Sequence, residues 1–204
     1  MPKVGITEEQ LERLYQVIPE VNYERDVLLY RMLWNLGGRV SEILDIKVED
    51  LNKQVSQGRM ECWINVRVLK RKIPYEHRVF INEGLMLAIE SYCQKKGITS
   101  GYIFSITRQE VYHICRRDGH QIGIPKLGPH KFRHGLGQYL MNTRRVSPNL
   151  VADRLGHSSP RMTVQFYGSV SDDARRSIVE DIEPPRKETN PGLMKENLER
   201  RWKN

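Results

Sequence analysis

Apolar positions recur at helical spacing along most of this chain, and one alternating stretch interrupts them. Val27, Leu28, Met32, Leu33 and Leu36 fall on one face of a helix that starts near Tyr23 and is stopped by Gly37-Gly38. Before it, Thr7-Glu8-Glu9-Gln10 has the form of a capping box, which predicts a helix running to about Ile18. Residues 60–69 alternate instead, with Cys62, Ile64, Val66 and Val68 on one side, and read as a strand. The basic turn Lys70-Arg71-Lys72-Ile73-Pro74 leads to a second strand over 77–81, making a hairpin with lysines at its tip. Asn82 caps a helix closed by Gly97, and the capping box Thr107-Arg108-Gln109-Glu110 opens another through Arg117. From Gly128 the pattern breaks into short helices. Ser147-Pro148 and Ser159-Pro160 each place a cap before a proline at the first helical position, and Gly156 closes the helix between them. The fold class expected is mainly α with a small antiparallel β-sheet, an α+β arrangement.

Residues 183–192 are polar and proline-rich and read as a linker, while Leu193, Met194, Leu198 and Trp202 recur at helical spacing beyond it. The expected division is one domain over 1–182 and a linker with a tail helix over 183–204, the tail docking on its own or a neighbouring subunit. A chain of 204 residues suits one full-sized domain. Its net charge of +8 favours a polyanionic partner. No apolar run approaches the ~20 residues needed to cross a bilayer, and the first residues lack the regions of a signal peptide. A cytoplasmic, nucleoid-associated protein with no membrane partner is therefore expected. Cys62, Cys93 and Cys115 stand in separate segments with no CxxC pair, so reduced, packed thiols are expected.

The polar motifs narrow the chemistry. Gly37-Gly38-Arg39-Val40-Ser41-Glu42 presents an arginine just after a glycine pair. In Pro129-His130-Lys131-Phe132-Arg133-His134-Gly135, the imidazole of His130 and the guanidinium of Arg133 share one helical face. His157 and Tyr167 flank a third junction. Two arginines, two histidines and a tyrosine, with no acidic cluster to hold a metal, describe a site for a phosphodiester attacked by tyrosine. Such a transesterification needs a nucleophile, neutralisation of the phosphorane charge and a proton for the departing 5′ oxygen. Tyr167 meets the first need. Arg39 and Arg133 meet the second, because planar guanidiniums fork onto non-bridging oxygens. Lys70 or Lys72, at the hairpin tip, meets the third. His130 accepts or relays the phenolic proton, and His157 donates to the phosphate. His130 and His134 also have a spacing that zinc helices use, but Lys131 stands where a metalloprotease keeps its glutamate and no third ligand is near, so no metal is expected.

In this order the motifs resemble the tyrosine recombinases, or phage-type integrases, over residues 7–170. Gly38-Arg39-Val40-Ser41-Glu42-Ile43 matches the family's first arginine motif, with Glu42 behind the arginine. Pro129-His130-Lys131-Phe132-Arg133-His134 matches its HxxRH box, with His134 in a supporting role. Leu155-Gly156-His157-Ser158-Ser159 matches the third box, and Tyr167 sits where the family keeps its nucleophile. The resemblance implies a site-specific recombinase or integrase acting on double-stranded DNA through a 3′-phosphotyrosyl intermediate, assembled as a homotetramer on DNA, with no metal or nucleotide cofactor. Arg71, Arg78, Lys131, Arg144 and Arg145 are the expected DNA contacts. Arg116 and Arg117 are expected to contact phosphate or stand in solvent. Family members usually carry a further helical domain before this one, so the chain reads as an excised catalytic fragment or a short recombinase. The rival readings are relaxation of supercoils in the manner of a type IB topoisomerase and a non-catalytic DNA-binding protein on the same scaffold.

Overall fold

The computed structural model describes residues 5–68, 75–144 and 146–156. Thr7 caps α1 (Glu8–Val17) as its sequence predicts: the threonine hydroxyl accepts from Gln10 N, and the Gln10 side chain accepts from Thr7 N. After a short 3-10 turn comes α2 (Tyr23–Leu36), buried over most of its length from Asp26 onward and closed by Gly37 in the left-handed conformation, φ +59°. The short α3 (Val40–Leu44) follows directly. A second 3-10 turn leads into the sheet.

The sheet has three antiparallel strands in the order β1 (Leu51–Ser56), β2 (Arg59–Val68) and β3 (Tyr75–Ile81). The sequence pattern anticipates β2 and β3 but not β1. Gln57 and Gly58 form a two-residue turn with positive φ at both positions, 50° and 78°, the geometry that joins twisted strands into a tight hairpin. Cys62 stands across from Ile81 and Ile64 across from Val79, and these apolar residues lie buried on one face. On the other face the Arg78 guanidinium lies 5.0 Å from the Trp63 ring centroid.

Asn82 Oδ1 accepts from Leu85 N at 2.7 Å to start α4 (Glu83–Lys96), which Gly97 closes. The Thr107 box starts α5, which spans Arg108–Gln121 and so continues a turn past its expected end at Arg117. Next come α6 (Pro129–Gln138), a π-helical turn (Tyr139–Thr143) and α7 (Pro148–Arg154). The three cysteines are free and buried. Among the described residues, no helix is long and apolar enough to cross a membrane.

Two contacts carry the core through to the site. The Tyr30 ring of α2 stacks on Phe132 of α6 at 5.2 Å between centroids. Behind α6, the extended residues before α1 cross the helix backbone to backbone. Ile6 N donates to Lys131 O at 2.9 Å, and a Cβ on Gly5 would lie 2.0 Å from Gly135 N. Only glycine allows so close a crossing.

Arg117 corrects an expectation. It is not simply a solvated charge: it donates to Asp26 at 2.8 Å and to Asp118 at 2.6 Å, both carboxylates fully buried, while 35% of its own side chain stays exposed. Two carboxylates taken out of water need countercharge, and Arg117 with Arg25 supplies it. Tyr30 Oη donates to Asp118 Oδ2 at 2.7 Å, completing a network between α2 and α5.

Candidate active site

The end of α2 is where the candidate residues meet. Gly37 turns the chain, and there is no room for a side chain: a Cβ would come 2.5 Å from Leu155 Cδ2 and 2.7 Å from Leu136 Cδ2. The turn delivers Arg39 to the start of α3, half-buried. The Glu42 carboxylate takes Arg39 from two sides, accepting its backbone N–H at Oε2 and its Nη1 at Oε1, both at 2.7 Å. Glu42 thus caps the helix and orients the guanidinium with one side chain.

Arg133 comes to the same turn from α6. It is buried, and its Nη1 donates to Gly37 O at 2.6 Å. Burial pulls the Arg133 pKa down, the Arg39 charge pulls it further, and Glu42 partly restores it. The two guanidiniums thus stand close enough to feel each other's charge, with one carboxylate between them in effect. His130 is exposed in the first turn of α6, a helix with no side-chain cap at its N-terminus, and Lys131 and His134 are half-buried on the same helix. Amide N–H groups at such an end attract anions.

The structure therefore brings together Arg39, Glu42 and Arg133, with His130 one turn before Arg133. Arg78 is exposed and stacked on Trp63, on the sheet rather than at the turn, and Arg144 is exposed after the π-helical turn. Lys70, Arg71, Lys72, Arg145, His157 and Tyr167 lie outside the described residues, as do the helix opened by Ser159-Pro160, the linker and the tail. Among the described residues, no group of three His, Cys, Asp or Glu side chains is placed to hold a metal ion.

One residue at this turn escaped the sequence reading. Arg154, on the last turn of α7, is buried and donates through Nη2 to Asn35 O at 2.8 Å and through Nη1 to Phe80 O. A signal for it existed: Arg154 falls on the stripe of Leu150, Val151 and Leu155, where an apolar residue is the norm.

Comparison with known proteins agrees with this geometry. The model of the phage integrase family matches residues 5–173. The tyrosine recombinase XerA of Pyrococcus furiosus is 30% identical over 193 residues, covering 88% of this chain and 62% of its own. The type 1 fimbriae regulatory protein FimE of Escherichia coli is 31% identical, covering 71% of this chain and 75% of its own. Among solved structures, the integrase of mycobacterium phage Brujita superposes with a TM-score of 0.67 at 19% identity, over 96% of this chain and 63% of that one. XerH bound to its difH substrate in a pre-cleavage complex superposes with a TM-score of 0.62 at 20% identity, over 77% of this chain and 48% of that one. The chain thus spans 62% of the archaeal recombinase.

Proposed function

The chain belongs to the phage integrase family, and on that premise we propose that it is the catalytic domain of a site-specific DNA recombinase, with residues 1–182 as that domain and 183–204 as a linker and tail. The observation that carries this reading is the pair of guanidiniums at the end of α2, Arg39 held by Glu42 and Arg133 held by Gly37 O. Each is fixed by only some of its donors, which leaves the rest of both forks for the non-bridging oxygens of one phosphate.

In the reaction, the Tyr167 oxygen attacks the scissile phosphorus, the bond to the 5′ oxygen breaks, and a 3′-phosphotyrosyl link forms. His130 takes the phenolic proton, Lys70 or Lys72 protonates the departing oxygen, and His157 donates to the phosphate. A 5′ hydroxyl from a second duplex then attacks the same phosphorus and expels Tyr167. One phosphodiester is exchanged for another, so no nucleotide or metal enters the balance. His134 supports the box from behind. Arg71, Arg78, Lys131, Arg144 and Arg145 bind the duplex backbone, giving affinity that falls with salt. Four protomers assemble on two sites, the tail of each docking on a neighbour.

The test is a DNA substrate nicked next to the cleavage site, on which the cleaved strand end diffuses away and the covalent complex accumulates. Wild-type protein is expected to become attached to the 3′ phosphate, and Tyr167→Phe to bind the same DNA without attachment. Equal trapping of the Phe variant would remove Tyr167 from the role of nucleophile.

A further inference from the structure

We propose that Arg154 is a positioning residue for the phosphate-binding turn, tying the end of α2 to β3 and to α7 and so setting where Arg39 and Arg133 stand. The proposal rests on the recombinase reading for its consequence and on the contacts around α2 for its geometry. The last carbonyls of a helix have no partner within it and form the negative end of its dipole. At α2 these groups are taken by two guanidiniums from two different helices: Asn35 O by Arg154 at 2.8 Å and Gly37 O by Arg133 at 2.6 Å. Arg154 also holds Phe80 O of β3, the strand that follows Lys70 and Lys72 in the chain. The next residue, Leu155, packs on the Gly37 turn from above. One side chain thus links the first arginine motif, the hairpin strand and the segment that runs into His157.

The chemistry of Arg154 is unusual for a residue that only fills space. Its acceptors among the described residues are carbonyls and no carboxylate, and its Nε is buried with no partner. Desolvation pulls its pKa down, to about 9, with nearby Asp153 opposing. A methionine or leucine there would avoid the cost of burying charge but would leave two carbonyls without this donor. The guanidinium supplies something that these cannot: two donors, rigidly set, on the carbonyls of two elements.

The experiment measures single-turnover covalent trapping at saturating DNA, DNA affinity and thermal melting for wild type, Arg154→Met and Arg154→Lys. For Arg154→Met we expect trapping slowed roughly tenfold or more, as for a small misplacement of catalytic groups, with affinity and melting near wild type. Arg154→Lys, whose ammonium cannot span both carbonyls, is expected to fall between the two and carries the test if the Met variant does not fold. In an Arg39→Lys background the same Met substitution is expected to cost much less, because the fork it aligns is gone. Amide exchange over 36–43 is expected to quicken in Arg154→Met while α5 is unchanged. Trapping by both variants within about twofold of wild type would overturn the proposal, as would parallel loss of trapping, affinity and melting, or additive losses in the Arg39→Lys background. If wild-type protein is not trapped at all, the recombinase reading fails, and amide exchange still decides the tether: unchanged exchange over 36–43 overturns it.

Discussion

The two ends of α2 are both charged, yet they are built on opposite plans. Toward its N-terminus, the buried carboxylates of Asp26 and Asp118 meet the guanidiniums of Arg25 and Arg117, and the Tyr30 hydroxyl fills a remaining acceptor. Charge there is balanced by the protein itself. At its C-terminus, Arg39 is paired with Glu42, while Arg133 donates to Gly37 O and Arg154 to Asn35 O. Among the described residues, two of these three guanidiniums are held by backbone carbonyls rather than by carboxylates, and under the proposed function the phosphate supplies the countercharge. A balanced buried network fixes how helices pack, while an unbalanced one is a binding site that has been oriented in advance. The Tyr30–Phe132 stack joins the two, since Phe132 precedes Arg133 on α6.

The sharpest way to break the contrast is to remove charge from the unbalanced end. Arg39→Ala and Arg133→Ala are each expected to slow cleavage by two decades or more, the loss of ~3 kcal/mol typical of a donor to transition-state charge. Lysine at either position is expected to rescue poorly, because a point charge cannot fork onto two oxygens. Trapping rates on the nicked substrate check both, and full activity of the lysine variants would contradict a bidentate clamp.

At the balanced end the expected loss is in stability. Asp118→Ala strips Tyr30 and Arg117 of a shared acceptor, and removing one member of a buried ion pair costs ~3 kcal/mol, less here because Arg117 reaches solvent. Urea unfolding should show that loss, with the cleavage rate of the folded fraction close to wild type. A variant that unfolds normally but cleaves slowly would mean that the two ends are not separable.

A smaller effect comes from Cys115, which lies against the same aspartates. Burial first, then Asp118 and Asp26, push its thiol pKa up, and burial does the same to Cys62 and Cys93. A free thiol in an unfolded chain titrates near ~8.5, so the native state holds these protons more tightly than the unfolded one. Their stabilising effect is complete below that pH and is lost as pH rises toward the native values. Melting temperature should therefore decline above about pH 9, and Cys115→Ala should flatten the decline. A flat profile in the wild type would count against the buried thiols.

Local chemistry explains what could be read without a structure. Thr7, Asn82, Thr107 and Ser147 announce helix starts because their side chains satisfy backbone donors within one turn, and Gly37, Gly97 and Gly156 announce ends because each has positive φ. Strand β1 was missed because none of its side chains is buried, three being exposed and three half-buried, so it carries little apolar alternation. Helix α5 runs past its expected end because Gly119, ordinarily a weak point, is where Leu127 packs: a Cβ would lie 2.5 Å from that of Leu127. Arg39, Glu42 and Arg133, which meet at the end of α2, were legible because each lies in a box that is contiguous in the chain. Their partners were not. That Arg133 would hold Gly37 O, or that Asp26 and Asp118 would share Arg117, depends on helices brought together from distant segments.

The crossing of Gly5 over Gly135 bears on how this unit can be joined to others. The contact is backbone against backbone, so neither Gly5 nor Gly135 leaves room for a side chain. A segment spliced on ahead of Gly5 cannot run as one continuous helix into α1. Its junction is the crossing itself, where Ile6 N meets Lys131 O on the helix that bears His130 and Arg133. Whatever module is fused upstream is thereby joined at that helix through residues 5–7, which makes the crossing a fixed joint for recombining domains.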